Sequence, residues 1–212
     1  MSQLLPPKAP NLPLSPATPD RVYMDQLTNA QRLYYNRLDN VLQNILGANG
    51  GQYIDCPNGL FFDLGTYSPA VINTGYPIQF NQTYLSNAVS IVGGTKITVD
   101  IGGVYNFQYS SAVTSTNASL KTVWVWIVRN GIPVGYSTNA YTISGSGTST
   151  IISWQFNIDL GAGEYIQMYW GASNTNVSIA TTAPTAPHPG IPANVIAVNF
   201  IAPLPATRPT PP

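Results

Sequence analysis

Charge is what this sequence has least of. Of its 212 residues only eight are Lys or Arg and eight are Asp or Glu, 8% in all, where a globular chain averages roughly 25%. The two signs cancel to a formal net charge of zero. With no basic excess to displace counterions from phosphates, the chain is not expected to bind nucleic acid, and with no acidic excess it does not mimic one. An anionic membrane surface loses its attraction for the same reason. Cysteine is nearly missing too: Cys56 stands alone, so no intrachain disulfide can form and the small disulfide-stapled scaffolds are excluded. No run approaches the roughly 18 apolar residues of a membrane span, so membrane insertion is not expected. The opening stretch MSQLLPPKAPNLPLSP has no basic segment followed by an apolar one. It does not read as a signal peptide, and synthesis and assembly are expected in a cytoplasm.

What fills the chain instead is uncharged: 18 Gly, 19 Pro, 13 Tyr and many amides and hydroxyls. A protein with no net charge has no long-range repulsion to keep apolar patches apart, so an obligate assembly is expected. Residues 1–24 form a proline-rich arm. Pro6, Pro7, Pro10, Pro13, Pro16 and Pro19 recur at nearly every third position, which disfavours helix and sheet and favours extended polyproline II. Residues 25–47 read as one α-helix, with Leu27, Gln31, Tyr34, Leu38, Val41 and Ile45 alternating steps of four and three, the seam of a coiled coil. Asp25 or Thr28 is the expected cap, and Gly47 the stop. Some three heptads are too short to be stable alone. The helix either self-associates with copies or packs on another surface.

From Gln52 the apolar period changes to two. Lys96–Ile101, Val104–Ser110, Lys121–Val128, Ile151–Ile158, Tyr165–Trp170 and Val195–Ile201 are rich in β-branched and aromatic residues and read as strands. Asn130-Gly131 marks a hairpin, and Gly102-Gly103 and Gly161-Ala162-Gly163 mark tight turns. Eight to ten such strands predict a mainly β domain over 48–202, a jelly-roll sandwich, followed by a second proline-rich tail, 203–212. In Trp124–Val128 both faces are apolar, so a covering layer is expected on each. Tyr105, Phe107, Trp124, Trp126, Trp154 and Trp170 are assigned to core or subunit packing.

The run Gly103-Val104-Tyr105-Asn106-Phe107-Gln108-Tyr109-Ser110, then Trp126–Gly131, Trp154–Asn157 and Gly163-Glu164-Tyr165-Ile166, resembles the globular domain of the C1q/tumour-necrosis-factor group over about residues 79–201. The whole series, with Ile97–Val99 before it and Pro187–Pro192 before the last strand, resembles virion structural proteins of tailed bacteriophages. The helical stretch Gln31–Asn40 is similar to an element of such proteins. The resemblance implies a C1q/TNF-like jelly-roll homotrimer joined by aromatic and aliphatic side chains, located in the virion and assembled in the bacterial cytoplasm. Its implied partners are further copies of itself and the major capsid protein or other virion proteins.

Chemistry is sparse. His188, the one imidazole, sits between two prolines with no second histidine and with Cys56 far away in sequence, so neither a zinc site nor a base is expected. Asp100, Asp159 and Glu164 fall beside glycine turns, where acids commonly serve the turn; the alternatives for them are a hydrolytic pair or a calcium site. No Gly-Lys-Ser/Thr supplies a phosphate cradle. The expectation is therefore no enzyme, no cofactor and no metal. Function is expected to be head attachment through the arm, as decoration protein or head fibre. The alternative is a tail-fibre or tail-tip protein recognising host surface glycan, with Tyr136, Asn139 and Tyr141 as candidate ligand contacts.

Overall fold

The computed structural model describes residues 10–14, 18, 20–46 and 56–204, with the side chains of 43–46 left aside. The chain divides into two compact units, Met1–Asp55 and Cys56–Pro212.

The first unit carries one helix, α1, Arg21–Leu46. It begins four residues before the expected start. The reason is Asp20, whose Oδ1 accepts from the backbone N–H of Tyr23 at 2.8 Å and satisfies a donor that the first turn leaves without an intrahelical partner; neither Asp25 nor Thr28 is the cap. No residue from Arg21 to Leu42 is buried, and Tyr23, Leu27, Ala30, Tyr34, Leu38 and Val41 form the half-buried stripe. Ala30 takes the place expected of Gln31, which is exposed. The Ile45 side chain lies outside the described residues, as do Pro6, Pro7, Pro16 and Pro19 of the arm.

The second unit is a sandwich of two seven-stranded antiparallel sheets. Its strands are β1 Asn58–Asp63, β2 Thr66–Tyr67, β3 Tyr76–Pro77, β4 Gln82–Asn87, β5 Val89–Val92, β6 Lys96–Val99 and β7 Gly103–Ser115, followed by β8 Lys121–Arg129, β9 Ile132–Pro133, β10 Asn139–Ile143, β11 Ser149–Leu160, β12 Tyr165–Ala172, β13 Val177–Ala180 and β14 Asn194–Ala202. One sheet runs β2-β13-β7-β14-β1-β4 with β11 also on β7. The other runs β10-β8-β12-β6-β5 with β3 on β12 and β9 on β8. All six strands expected from the sequence are present, and β14 lies between β7 and β1. In β1 burial alternates while chemistry does not: Phe61 is buried between half-buried Leu60 and Phe62, so this strand is apolar on both faces.

Phe61, Ile97, Val99, Tyr105, Phe107, Val123, Val125, Ile166, Met168, Trp170, Ile196 and Val198 fill the space between the sheets. Along β11 an aromatic run closes the core's edge: Phe156 stacks on Phe107 at 5.1 Å between ring centroids, and Trp154 leans on Phe156 at 4.7 Å. Among the described residues one cation is inside. Lys121 is fully buried, and its Nζ donates to the carbonyls of Asn117 and Ser119 at 2.9 and 2.6 Å, the kind of hydrogen bonding a buried ammonium needs.

Candidate functional site

Two outer surfaces of the sandwich stand out. On the β8 sheet, Val123, Val125 and Ile127 turn inward, which sends Trp124 and Trp126 to the outer face, where both are half-buried. These two tryptophans are therefore not in the protomer core, unlike Trp170, Tyr105 and Phe107, which are. Trp124 stands in register between two small residues, Ala140 of β10 and Gly171 of β12. Trp126 lies against Tyr169 at 5.9 Å and over Gly75, where a Cβ would meet its ring at 2.7 Å. With Asn73, Thr74, Pro133, Val134 and Thr138 they line a groove of about 480 Å³. No charged side chain lines it.

Beside this groove, between Val134 and Thr138, Tyr136 is fully exposed with a left-handed φ of 56°. That backbone conformation is unusual for an aromatic residue, and such strain gathers at binding sites. Its two expected companions point elsewhere. Asn139 and Tyr141 share the face of β10 paired with Val125 and Val123, and the Tyr141 hydroxyl donates to the Ser153 carbonyl of β11 at 2.9 Å. Burial also pushes the Tyr141 pKa up. Thus only Tyr136 of the three adjoins the groove, and the tryptophans beside it, expected in core or subunit packing, line its wall, because period two does not say which face of a strand is covered.

The outer face of the other sheet is uncharged over most of its width. Leu60, Phe62, Leu64, Tyr84, Pro184, Pro192 and Val195 line an apolar trough of about 590 Å³. Next to it, Asn106, Gln108 and Asn157 form a ladder of amides, with Asn106 Nδ2 donating to Asn157 Oδ1 at 2.8 Å and Gln108 Nε2 to Asn106 Oδ1 at 3.2 Å.

The acidic candidates are occupied by structure. Arg129 pairs with Glu164 at 2.7 Å and with Asp159 at 3.6 Å. Glu164 also accepts from Asn130 Nδ2 and from the backbone N–H of Gly161, tying two turns together, while Asp100 is exposed. His188 is exposed in a bridge with Thr185, and Cys56 is exposed. Among the described residues no three His, Cys, Asp or Glu gather as a metal site would require, and no helix is long and apolar enough to cross a membrane.

No family model and no curated protein sequence matches this chain. Among solved structures it is similar to the globular domain of zebrafish complement 1qA protein. The match covers 70% of this chain and 99% of that one at 16% identity, with a TM-score of 0.45.

Proposed function

We propose that this protein is a non-catalytic structural component of a tailed-bacteriophage particle, a homotrimer fixed to the capsid by its proline-rich arm as a decoration protein or head fibre. The observation that carries the assembly is the trough of Leu60, Phe62, Tyr84 and Val195 beside an amide ladder. An apolar, uncharged face left open on one protomer is what a self-associating surface requires. The phage placement rests on the resemblance of Gln31–Asn40 and of the ordered β motifs to virion proteins. Attachment through the arm follows from physics, since an extended proline-rich chain has little entropy to lose and bares its carbonyls to a groove.

The test is incorporation. Particles from infected cells are purified with the full chain or with residues 1–19 deleted, a cut that leaves the Asp20 cap in place. The full chain is expected on the capsid and the deletion absent from particles while still trimeric. Retention of the deleted protein, or localisation on the tail, overturns head attachment through the arm.

A second reading has its own observation. The neutral groove of Trp124 and Trp126 with Tyr136 at its rim suits the recognition of host surface glycan by a tail-fibre protein. Its expected signature is binding of host envelope polysaccharide without release of oligosaccharides, lost in Trp124→Ala.

A further inference from the structure

A third cavity lies inside the fold. Where the short strands β2 and β3 approach each other, residues of both, with Trp170 of β12, Ile179 of β13 and Asn194 of β14, enclose about 340 Å³. Thr66 and Ser68 are exposed and form its mouth, while Ile78, Trp170, Ile179 and Asn194 are buried and form its floor.

One polar group there has nothing to do. Asn194 is 1% exposed. Its Oδ1 accepts from the Tyr109 hydroxyl at 3.3 Å, but its Nδ2 has no partner among the described residues. A buried donor without an acceptor has given up its hydrogen bonds to water for nothing in return, so such a group calls for an explanation. A ligand acceptor in the cavity provides one.

The walls select the ligand's class. No lysine or arginine lines the cavity, so nothing there balances a phosphate or carboxylate. The nearby carboxylate, Asp63, does not line it and is engaged by the backbone N–H of Gly65 and by the Tyr67 hydroxyl, so nothing there balances a cation. What remains is aromatic surface from Tyr67, Tyr76 and Trp170 together with hydroxyl and amide groups of Thr66, Ser68, Gln79 and Asn194. These groups both donate and accept. A small ring with apolar C–H faces and hydroxyls or an acetamide at its edge matches both halves, a mixture of apolar lining and a few placed polar groups being what a small-molecule site needs.

We infer that this cavity binds a single neutral sugar ring, a hexose or N-acetylhexosamine, with Asn194 Nδ2 donating to one of its oxygens. The site is distinct from the outer groove of Trp124 and Trp126 and does not depend on the glycan reading made there.

The chain has four tryptophans, so the full-length protein labelled with 5-fluorotryptophan gives four fluorine resonances. Single Trp→Phe changes at 124, 126 and 154 identify Trp170 by elimination. Glucose, galactose and N-acetylglucosamine are each titrated past about 10 mM, enough to saturate a millimolar site. The expected result is a saturable shift of the Trp170 resonance with at least one sugar. It should weaken by about tenfold or more in Asn194→Leu, and also in Thr66→Val/Ser68→Ala, whose exposed positions leave the fold intact. No shift with any of the three sugars would mean that Asn194 is satisfied by water and would overturn the inference. So would shifts confined to Trp124 and Trp126, which would place the sugar in the outer groove.

Discussion

Tyr67 shows how one side chain links the fold to pH. Its hydroxyl donates to Asp63 Oδ1 at 3.1 Å, and desolvation, followed by that hydrogen bond and the carboxylate's charge, pushes its pKa from 10.0 to about 12. Tyr109, fully inside the core, is shifted the same way by burial. The unfolded chain releases these protons near pH 10 while the folded chain keeps them. Stability is then at its full value below pH 10 and falls as pH rises toward about 12. Melting temperature followed from pH 9 upward should drop through this window, and less steeply in Tyr67→Phe; equal slopes would mean that Tyr67 does not report folding. Burial also ranks the tryptophans. Trp170→Ala, in the core, should cost about 3–5 kcal/mol, and Trp124→Ala, on the outer face, about 1 kcal/mol, as measured by urea denaturation.

Elements behave according to how much of their pattern is local. The Asp20 cap is local, and Asp20→Ala should lose about 1 kcal/mol of helix stability, seen as reduced helical circular dichroism without change in the β signal. The long strands β7, β8, β11, β12 and β14 are readable from sustained runs of β-branched and aromatic residues such as Val123–Val128, which favour strand over many consecutive positions. The two-residue strands β2 and β3 were not, since a pair of residues carries no period and is set by its partners, Ile179 and Ala180 for β2 and Tyr169 and Trp170 for β3. The turn after β8 is non-local too. Arg129, Asn130, Gly161 and Glu164 come together across 35 residues, so Glu164→Ala should remove a partly buried ion pair and a backbone bond at once. A loss of about 1–3 kcal/mol is expected, readable as a lower denaturation midpoint at unchanged slope.

For the whole molecule the expected quantity is mass. Native mass spectrometry should give three times 22.7 kDa for the full chain. Phe62→Lys with Tyr84→Lys, which sets two charges in the trough without touching the core, should give monomers of unchanged β circular dichroism. A trimer that survives both lysines has its seam elsewhere, and a monomeric parent removes the assembly altogether. The amide ladder of Asn106, Gln108 and Asn157 adds directional hydrogen bonds but no charge, so association should change little with salt.

Composition and periodicity alone determined the mainly β class, the preceding helix, the six principal strands and the scarcity of charge, because these depend on residue type and on spacings of two, three and four along the chain. Tertiary structure decided which face of β8 meets the core, and so placed Trp124 and Trp126 outside and Trp170 within. It also consumed Glu164 and Asp159 in ion pairs with Arg129, and brought Thr66, Trp170 and Asn194 to one cavity. Their meeting depends on strand pairing between segments some 24 to 128 positions apart, and a period measured along one strand holds no information about which distant strand will lie beside it.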